Sequence, residues 1–302
     1  MTVLPIDHAR TSALLLALAG VLWGTGGLAG ALLQSAGQLG PVPVAAYRLL
    51  VGGLVATAVV AVLGHLRHLR GRLARRRLVA TGVLLAEFQA AYQVAVERIS
   101  VSLATLVTIG CVPVFVAAGS AWRERRLPAP RTSVAISTSL VGLVLLLGSP
   151  AAGADGWRTV SGVGMSLLAG AGFATLTLVT ARPVAGQPAV TSVGLLLGGV
   201  LLIPFAWGQG LALPVTAEVL VLTAYIGVVP TAVAYGAYVL GLRHATATAA
   251  ALATMLEPLT ATLLAVAFHD ETLTPAGFVG AALIGGALAL SSAGGSGARN
   301  VG

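Results

Sequence analysis

The chain has 302 residues, of which 57% are hydrophobic and only 9% are charged, and its mean hydropathy is +0.96. Soluble domains carry about 25% charged residues, so a soluble chain of this length could not cover its surface with so few charges. The same apolar composition excludes a disordered chain, and glycine without a three-residue period excludes a collagen-like one. The sequence therefore indicates an integral membrane protein.

Ten apolar runs follow one another along the chain, each close to the roughly 20 residues that a helix needs to cross a bilayer. They cover residues 12–32, 42–64, 78–97, 100–121, 131–148, 159–180, 189–207, 216–240, 246–267 and 274–292. The runs are continuous rather than alternating, which predicts helices and argues against a β-barrel. The first run is longer than the roughly 7–15 apolar residues of a signal peptide. We expect an all-α membrane protein with ten transmembrane helices.

The 17 basic residues are all arginines, and they fall mainly in alternate loops. One predicted side, here called the arginine-rich side, holds Arg10, Arg67, Arg70, Arg72, Arg75, Arg76, Arg77, Arg123, Arg125, Arg126, Arg131, Arg182, Arg243 and Arg299. The arginine-poor side holds Arg98 and Arg158. Cytoplasmic loops carry the excess of basic residues, which predicts a multi-pass protein of the cell membrane with both termini in the cytoplasm. Segment 65–77 is then a topology anchor or, alternatively, a contact for anionic lipid or a partner. Because this charge lies in membrane loops, we expect no nucleic-acid partner.

The two halves of the chain resemble each other. Arg98 to Pro113 and Arg243 to Pro258 span the same distance at corresponding places, and Trp23 corresponds to Phe173 in the first span of each half. We predict two five-helix repeats, 12–148 and 159–292, followed by a disordered tail at 293–302. An odd number of helices inverts the second copy, and inverted repeats are typical of secondary transporters with a site between the copies. A membrane scaffold or receptor built by duplication is the alternative outside transport.

Short motifs in a fixed order resemble the drug/metabolite transporter superfamily, of the ten-helix kind with two EamA domains. They are Trp23-Gly24, Pro41 to Arg48, Ala91-Tyr92, Pro113, Ala234-Tyr235, Glu257-Pro258 and Glu271-Thr-Leu. The resemblance implies export or exchange of small metabolites through a central cavity. The second half has no arginine corresponding to Arg48, so a site of this kind could not be charge-symmetric.

Three ionisable residues lie well inside predicted spans: Arg48, Glu87 and Glu257. Charges at that depth are costly and usually face a cavity or a partner. Glu257 precedes Pro258, which weakens the helix, and its carboxylate there could bind a cationic group or a proton. Glu87 could act similarly or form an ion pair with Arg48, and such a pair could also be a gate. Arg48 could instead hold a substrate carboxylate or extend to the outer interface.

Aromatic and amide side chains in the spans are candidates for lining the same cavity. They are Trp23, Tyr92, Gln89 and Gln93 in the first half, and Tyr235 and Tyr238 in the second. Aromatic groups suit a cation or an amphiphile, although packing between helices is the alternative for each of them. Pro113 and Pro258 are candidate hinges, or helix kinks without a gating role.

Motifs for membrane enzymes are absent from the sequence: it has no phosphate-binding Walker loop and no His-Glu-x-x-His. The cluster His269-Asp270-Glu271 is more typical of a polar hairpin between two spans than of a metal site. We therefore expect no enzyme, no metal and no cofactor. The predicted function is secondary active export of a small metabolite, an amino acid or a similar zwitterion or cation, coupled to protons or to exchange. Efflux of drugs or toxic cations is the alternative, and the sequence leaves the oligomeric state open.

Overall fold

A computed structural model describes residues 8–99, 101–147, 156–182, 184–268 and 274–293. The helices are α1 (His8–Gly37), α2 (Pro41–Val62), α3 (Arg72–Arg98), α4 (Val101–Glu124), α5 (Pro130–Leu147), α6 (Gly156–Thr180), α7 (Gln187–Trp207), α8 (Ala217–Gly227), α9 (Ala234–Gly241), α10 (Ala247–Ala253), α11 (Leu256–Phe268) and α12 (Pro275–Ala293). A short 3₁₀ helix (His65–Arg70) precedes α3, and a π-helical segment (Val228–Val233) joins α8 to α9. The described part of the chain contains no strand, which confirms the all-α prediction.

The ten predicted spans agree with these helices to within a few residues at most ends. Nine segments of the described residues are long and apolar enough to cross a membrane, and α12 adds a shorter apolar helix. Two spans are interrupted in a way that the apolar pattern did not indicate. The eighth runs through α8, the π segment and α9, and the ninth is broken between α10 and α11. The hairpin residues 269–271 and the predicted tail beyond residue 293 lie outside the described residues.

The helices pack closely because glycine leaves room between them. The main pairs are α2 with α7, α3 with α6 and α7, α4 with α6, α5 with α12, and α1 with α9 and α11. At the α5–α12 contact, a Cβ on Gly142 would lie 2.8 Å from the carbonyl oxygen of Gly280. Lipid chains are as apolar as the side chains, so membrane helices gain little from the hydrophobic effect when they associate. They are stabilised instead by van der Waals contact, which close approach of their backbones increases.

Arginines on the arginine-rich side also satisfy helix ends. Arg77 donates to the carbonyl oxygens of Val179 and Arg182 at the end of α6, and the Arg131 Nε donates to the carbonyl oxygen of Leu290 in α12 at 3.0 Å. The last carbonyls of a helix have no partner within it and carry partial negative charge. The arginine bias of this side thus has a structural use besides its predicted role in orientation.

Candidate functional site

Two neighbouring cavities that share lining residues lie among the helices. The inner chamber, about 50 Å³, is lined by Trp23, Arg48, Phe88, Gln89, Tyr92, Thr105, Thr108, Ile109, Phe173, Tyr235, Thr254 and Glu257. The outer vestibule, about 220 Å³, is lined by Gly26, Gly27, Gly30, Ala31, Gln34, Val44, Ala45, Arg48, Gln89, Tyr92, Gln93, Val96, Val101, Ile226 and Glu257. Four side chains line both cavities: Arg48, Gln89, Tyr92 and Glu257. They form the boundary at which chamber and vestibule meet.

Arg48 is held in place by the π segment. Pro230 has no N–H to offer the carbonyl oxygen of Ile226, one helical turn earlier, and the Thr231 hydroxyl donates to that oxygen instead, at 2.7 Å. The same hydroxyl oxygen accepts from Arg48 Nε at 3.0 Å, and the carbonyl oxygen of Pro230 accepts from Arg48 Nη2 at 3.2 Å. The irregular backbone therefore provides acceptors for a guanidinium inside the helix bundle, and π segments are frequent at functional sites.

Glu257 lies in the first turn of α11, directly after the break in the ninth span. α10 ends at Ala253, and a tight turn follows in which the Glu257 N–H donates to the carbonyl oxygen of Thr254 at 3.0 Å. Pro258, in the same turn of α11, would be costly inside an unbroken helix but is tolerated in a first turn, where a proline needs no partner for the missing N–H. The break thus presents a carboxyl group to both cavities.

The helix α3 contributes one polar face to the site. Gln89 and Tyr92 line both cavities and Gln93 lines the vestibule. The Tyr92 hydroxyl is 2.8 Å from the Thr105 hydroxyl of α4, which fixes the tyrosine ring at the chamber wall. The amide and hydroxyl groups can both donate and accept hydrogen bonds, so they can orient a polar solute between the two charged residues.

Five aromatic side chains form a cluster at the inner chamber: Trp23, Phe88, Phe173, Tyr235 and Tyr238. Trp23 is central, with its ring 5.1–5.7 Å from those of Tyr238, Tyr235 and Phe173. Such edge-to-face and tilted contacts stabilise aromatic pairs beyond their burial. The Trp23 Nε1 is buried without a hydrogen-bond partner among the described residues.

The cavities have a direction along the helices. The vestibule lining includes Gln34 near the end of α1, Val96 near the end of α3 and Val101 at the start of α4. These are the helix ends of the arginine-poor side. Tyr238 of the aromatic cluster lies on the opposite side of the chamber, in the last turns of α9 before Arg243. The vestibule therefore extends towards the arginine-poor side, and Tyr238 of the aromatic cluster lies towards the arginine-rich side.

Comparison with known proteins identifies the class of molecule. The model of the EamA-like transporter family matches residues 10–148 and again residues 160–293. The chain belongs to the EamA-like transporter family. The uncharacterized transporter YwfM of Bacillus subtilis (strain 168) is 32% identical over 271 residues, which is 88% of each chain. A crystal structure of another protein shares the fold, with a TM-score of 0.80 over 95% of this chain and 98% of that one at 21% identity.

These matches confirm the resemblance to ten-helix transporters of the drug/metabolite superfamily. Both names describe transport rather than catalysis, and they imply a membrane-embedded protein with a small-molecule substrate. Within the described residues, no group of three or more His, Cys, Asp and Glu side chains could hold a metal ion.

The EamA-like fold brings most of the residues singled out in the sequence to one place. Six candidates line the chamber or both cavities: Trp23, Arg48, Gln89, Tyr92, Tyr235 and Glu257, while Gln93 lines the vestibule. Tyr238 lines neither cavity. It packs against Trp23, and its hydroxyl oxygen is 2.7 Å from the Thr177 hydroxyl oxygen. Of the candidate hinges, Pro258 follows the helix break, whereas Pro113 lies inside the continuous helix α4.

Glu87 lies elsewhere than at the cavities. It points from α3 towards α6, where a Cβ on Gly172 would collide with its carboxyl oxygen. Both carboxyl oxygens are buried and have no hydrogen-bond partner among the described residues. The ion pair with Arg48 that the sequence allowed is therefore not formed, because Arg48 bonds to the π segment instead.

Several chamber residues were missed in the sequence. Phe88, Thr105, Thr108 and Thr254 line the chamber, but single hydroxyls and aromatic rings in apolar spans give no distinctive pattern. Phe173 had a usable signal, since it corresponds to Trp23 in the comparison of the two halves. The two rings are in edge-to-face contact, with centroids 5.7 Å apart.

Proposed function

We propose that this EamA-like transporter exports a small zwitterionic metabolite, such as an amino acid, by secondary active transport. Substrate binds at the boundary of chamber and vestibule. The two five-helix halves, related as inverted repeats, rock about this fixed site and expose it to each side in turn, as in other transporters with inverted repeats.

The observation that carries this proposal is the presence of Arg48 and Glu257 on the walls of the same two cavities. An arginine is suited to a substrate carboxylate, and a glutamate to an ammonium group. Charges held away from bulk water are costly unless an opposite charge compensates them, so a zwitterion would satisfy both at once. The vestibule, at about 220 Å³, is smaller than the roughly 300–1,000 Å³ of sites for drug-sized ligands, which favours a small solute.

The orientation follows from the arginine bias. With the arginine-rich side and both termini in the cytoplasm, the vestibule faces outwards and the aromatic cluster closes the cytoplasmic side. The opposite state requires the rings of the cluster to separate and the vestibule to close. The break before Pro258 and the π segment at Pro230 are the positions best suited to bend during this change, with Pro113 as a further candidate.

Substrate transport is driven either by proton binding at the carboxyl groups or by exchange of one solute for another. Glu257 can carry either a substrate ammonium or a proton, and the two compete for one group. The Glu87 carboxyl group has no hydrogen-bond partner in the described part of the chain and lies away from both cavities, so it can take up a proton without contacting substrate. Direct competition between substrate and a proton is therefore available at Glu257, which lines both cavities.

Efflux of an organic cation is the second candidate function. The observation in its favour is the aromatic cluster next to Glu257, since aromatic faces and a carboxylate together attract cations. Arg48 disfavours it, because a guanidinium on the same wall repels a substrate that carries only positive charge.

Untargeted metabolite profiling of cells and medium tests the proposal. Cells overexpress the wild type, Glu257→Gln or the control Glu218→Gln at matched membrane levels; Glu218 is exposed in the first turn of α8, outside the lining of both cavities. We expect a zwitterionic solute to accumulate in the medium with the wild type and Glu218→Gln but not with Glu257→Gln. If the only exported solutes are organic cations, the second candidate replaces the first. Export by Glu257→Gln equal to the wild type contradicts both.

A further inference from the structure

A long apolar groove, about 640 Å³, lies on the lipid-facing surface, and the transport cycle does not account for it. Its walls are the arginine-rich halves of α1 and α2, the first turns of α7, and the segment from Val228 to Arg243. Side chains along its rim are exposed although they are aliphatic; Val59 is 53% and Val233 is 47% exposed. In a membrane protein such a surface faces lipid chains, so the groove, here called the lateral groove, can hold one of them.

The groove has the length of one leaflet. Val228 and Arg243 are about 15 residues apart, which corresponds to about 22 Å at 1.5 Å per residue. One leaflet with its headgroup layer is about 20–22 Å thick, half of a 40–45 Å bilayer. The groove therefore runs from near the middle of the membrane to the headgroups of the arginine-rich side.

The headgroup end of the groove is basic. Arg243 and His65 line it there, and Arg243 is exposed with no side-chain hydrogen bond to any described residue. The aliphatic walls and the exposed guanidinium thus match the two parts of an anionic phospholipid, its chain and its phosphate.

The floor of the groove is shaped by Gly236. This glycine is exposed, and a Cβ placed on it would have nothing within 4 Å, so the space above it is open. Its neighbour Tyr235 lines both the lateral groove and the inner chamber. A chain lying in the groove would therefore contact the residue that separates it from the transport site.

We infer that the lateral groove is a binding site for an anionic phospholipid of the arginine-rich leaflet, with one acyl chain along Gly236 and the phosphate at Arg243. The site is distinct from the cavity of the proposed function and does not depend on which solute is exported.

Native mass spectrometry of the purified full-length protein with equal amounts of dioleoyl phosphatidylglycerol and dioleoyl phosphatidylcholine tests this site. The two lipids share their chains and differ in headgroup charge. We expect the wild type to retain phosphatidylglycerol preferentially, and Arg243→Gln to bind it roughly fivefold more weakly, the effect of one basic residue near a headgroup. Gly236→Leu, which fills the groove, should lower the retention of both lipids.

Matched variants separate the groove from general effects. Arg76→Gln removes an exposed arginine of the same side, and Gly164→Leu adds a side chain at an exposed glycine of α6 that also has nothing within 4 Å. Both should bind lipid as the wild type does. The proposal is overturned if Gly236→Leu retains as much lipid as Gly164→Leu, or if Arg243→Gln keeps the preference for phosphatidylglycerol. Loss of transport in the groove variants with unchanged lipid binding also overturns it and indicates a lateral path for substrate.

Discussion

The Thr231 hydroxyl makes two hydrogen bonds, one to the backbone of its own span and one to Arg48 in the candidate site. It donates to the Ile226 carbonyl oxygen, which Pro230 cannot satisfy, and it accepts from Arg48. Thr231 is completely buried, so water cannot replace it. This hydroxyl oxygen is therefore one of two acceptors in the eighth span that hold Arg48, the other being the Pro230 carbonyl oxygen.

We predict that Thr231→Val lowers the free energy of unfolding by about 1–3 kcal/mol, the cost of leaving buried polar groups without partners. Transport should fall as well, because Arg48 loses one of its acceptors. Thr223→Val is the matched control: Thr223 is also buried in the eighth span, but its hydroxyl bonds the Val219 carbonyl oxygen, which an ordinary helical N–H already reaches. Thermal unfolding in detergent measures both variants. Equal loss of stability in the two would contradict this role of Thr231.

Sequence reasoning predicted Arg48 as a site residue but not its contacts. An arginine inside an apolar span is costly unless it has a hydrogen-bond or charge partner. This expectation follows from the residue type alone. Which partner it has depends on how neighbouring helices meet, and the nearest candidate by charge, Glu87, faces another helix. Residue type therefore indicated that Arg48 needs a partner, and only packing decided what it bonds.

At the scale of helices, α1 positions Glu257 through direct backbone contact. A Cβ on Gly24 would lie 2.5 Å from the Thr260 Cβ and 2.6 Å from the Glu257 carbonyl oxygen, so the backbone of α1 packs directly against the Thr260 side chain and the Glu257 backbone of α11. Gly27, one turn further along α1, has nothing within 4 Å of such a Cβ. Two glycines of one helix thus have different roles.

We predict that Gly24→Ala displaces α11, costs about 1–3 kcal/mol of stability as overpacked sites do, and impairs transport by moving Glu257. Gly27→Ala should leave stability unchanged or slightly higher, because alanine favours the helix over glycine. Melting temperatures of the two purified variants make the comparison. If Gly24→Ala melts no lower than Gly27→Ala, the contact between α1 and α11 is not as close as described.

The helices themselves were predictable because length and hydropathy are local properties of the chain. The interruptions were not, because proline has no single effect on a helix. Pro113 and Pro204 lie inside continuous helices, Pro230 lies in the π segment and Pro258 follows a break. At Pro230 the Thr231 hydroxyl satisfies the Ile226 carbonyl oxygen that the proline leaves free, which is a contact that a count of apolar residues does not indicate.

For the whole molecule, the fold places one cation and one carboxyl group on the walls of two neighbouring cavities between helices of both halves. The family match and the order of the motifs agree on a transporter. The inverted relation of the halves and the cytoplasmic termini remain predictions from the odd helix number and the arginine bias. The proposed transport cycle depends on substrate binding at Glu257.

Efflux of solutes from proteoliposomes tests whether Glu257 is required for transport. Vesicles containing the purified wild type, Glu257→Gln or Glu218→Gln are loaded with a mixture of isotope-labelled amino acids, and the release of each is followed over time at several pH values. We predict that the wild type and Glu218→Gln release at least one amino acid faster than protein-free vesicles, and that Glu257→Gln, although folded and inserted, releases it no faster than they do. Release by Glu257→Gln at the wild-type rate at every pH would contradict the proposed binding of substrate at Glu257.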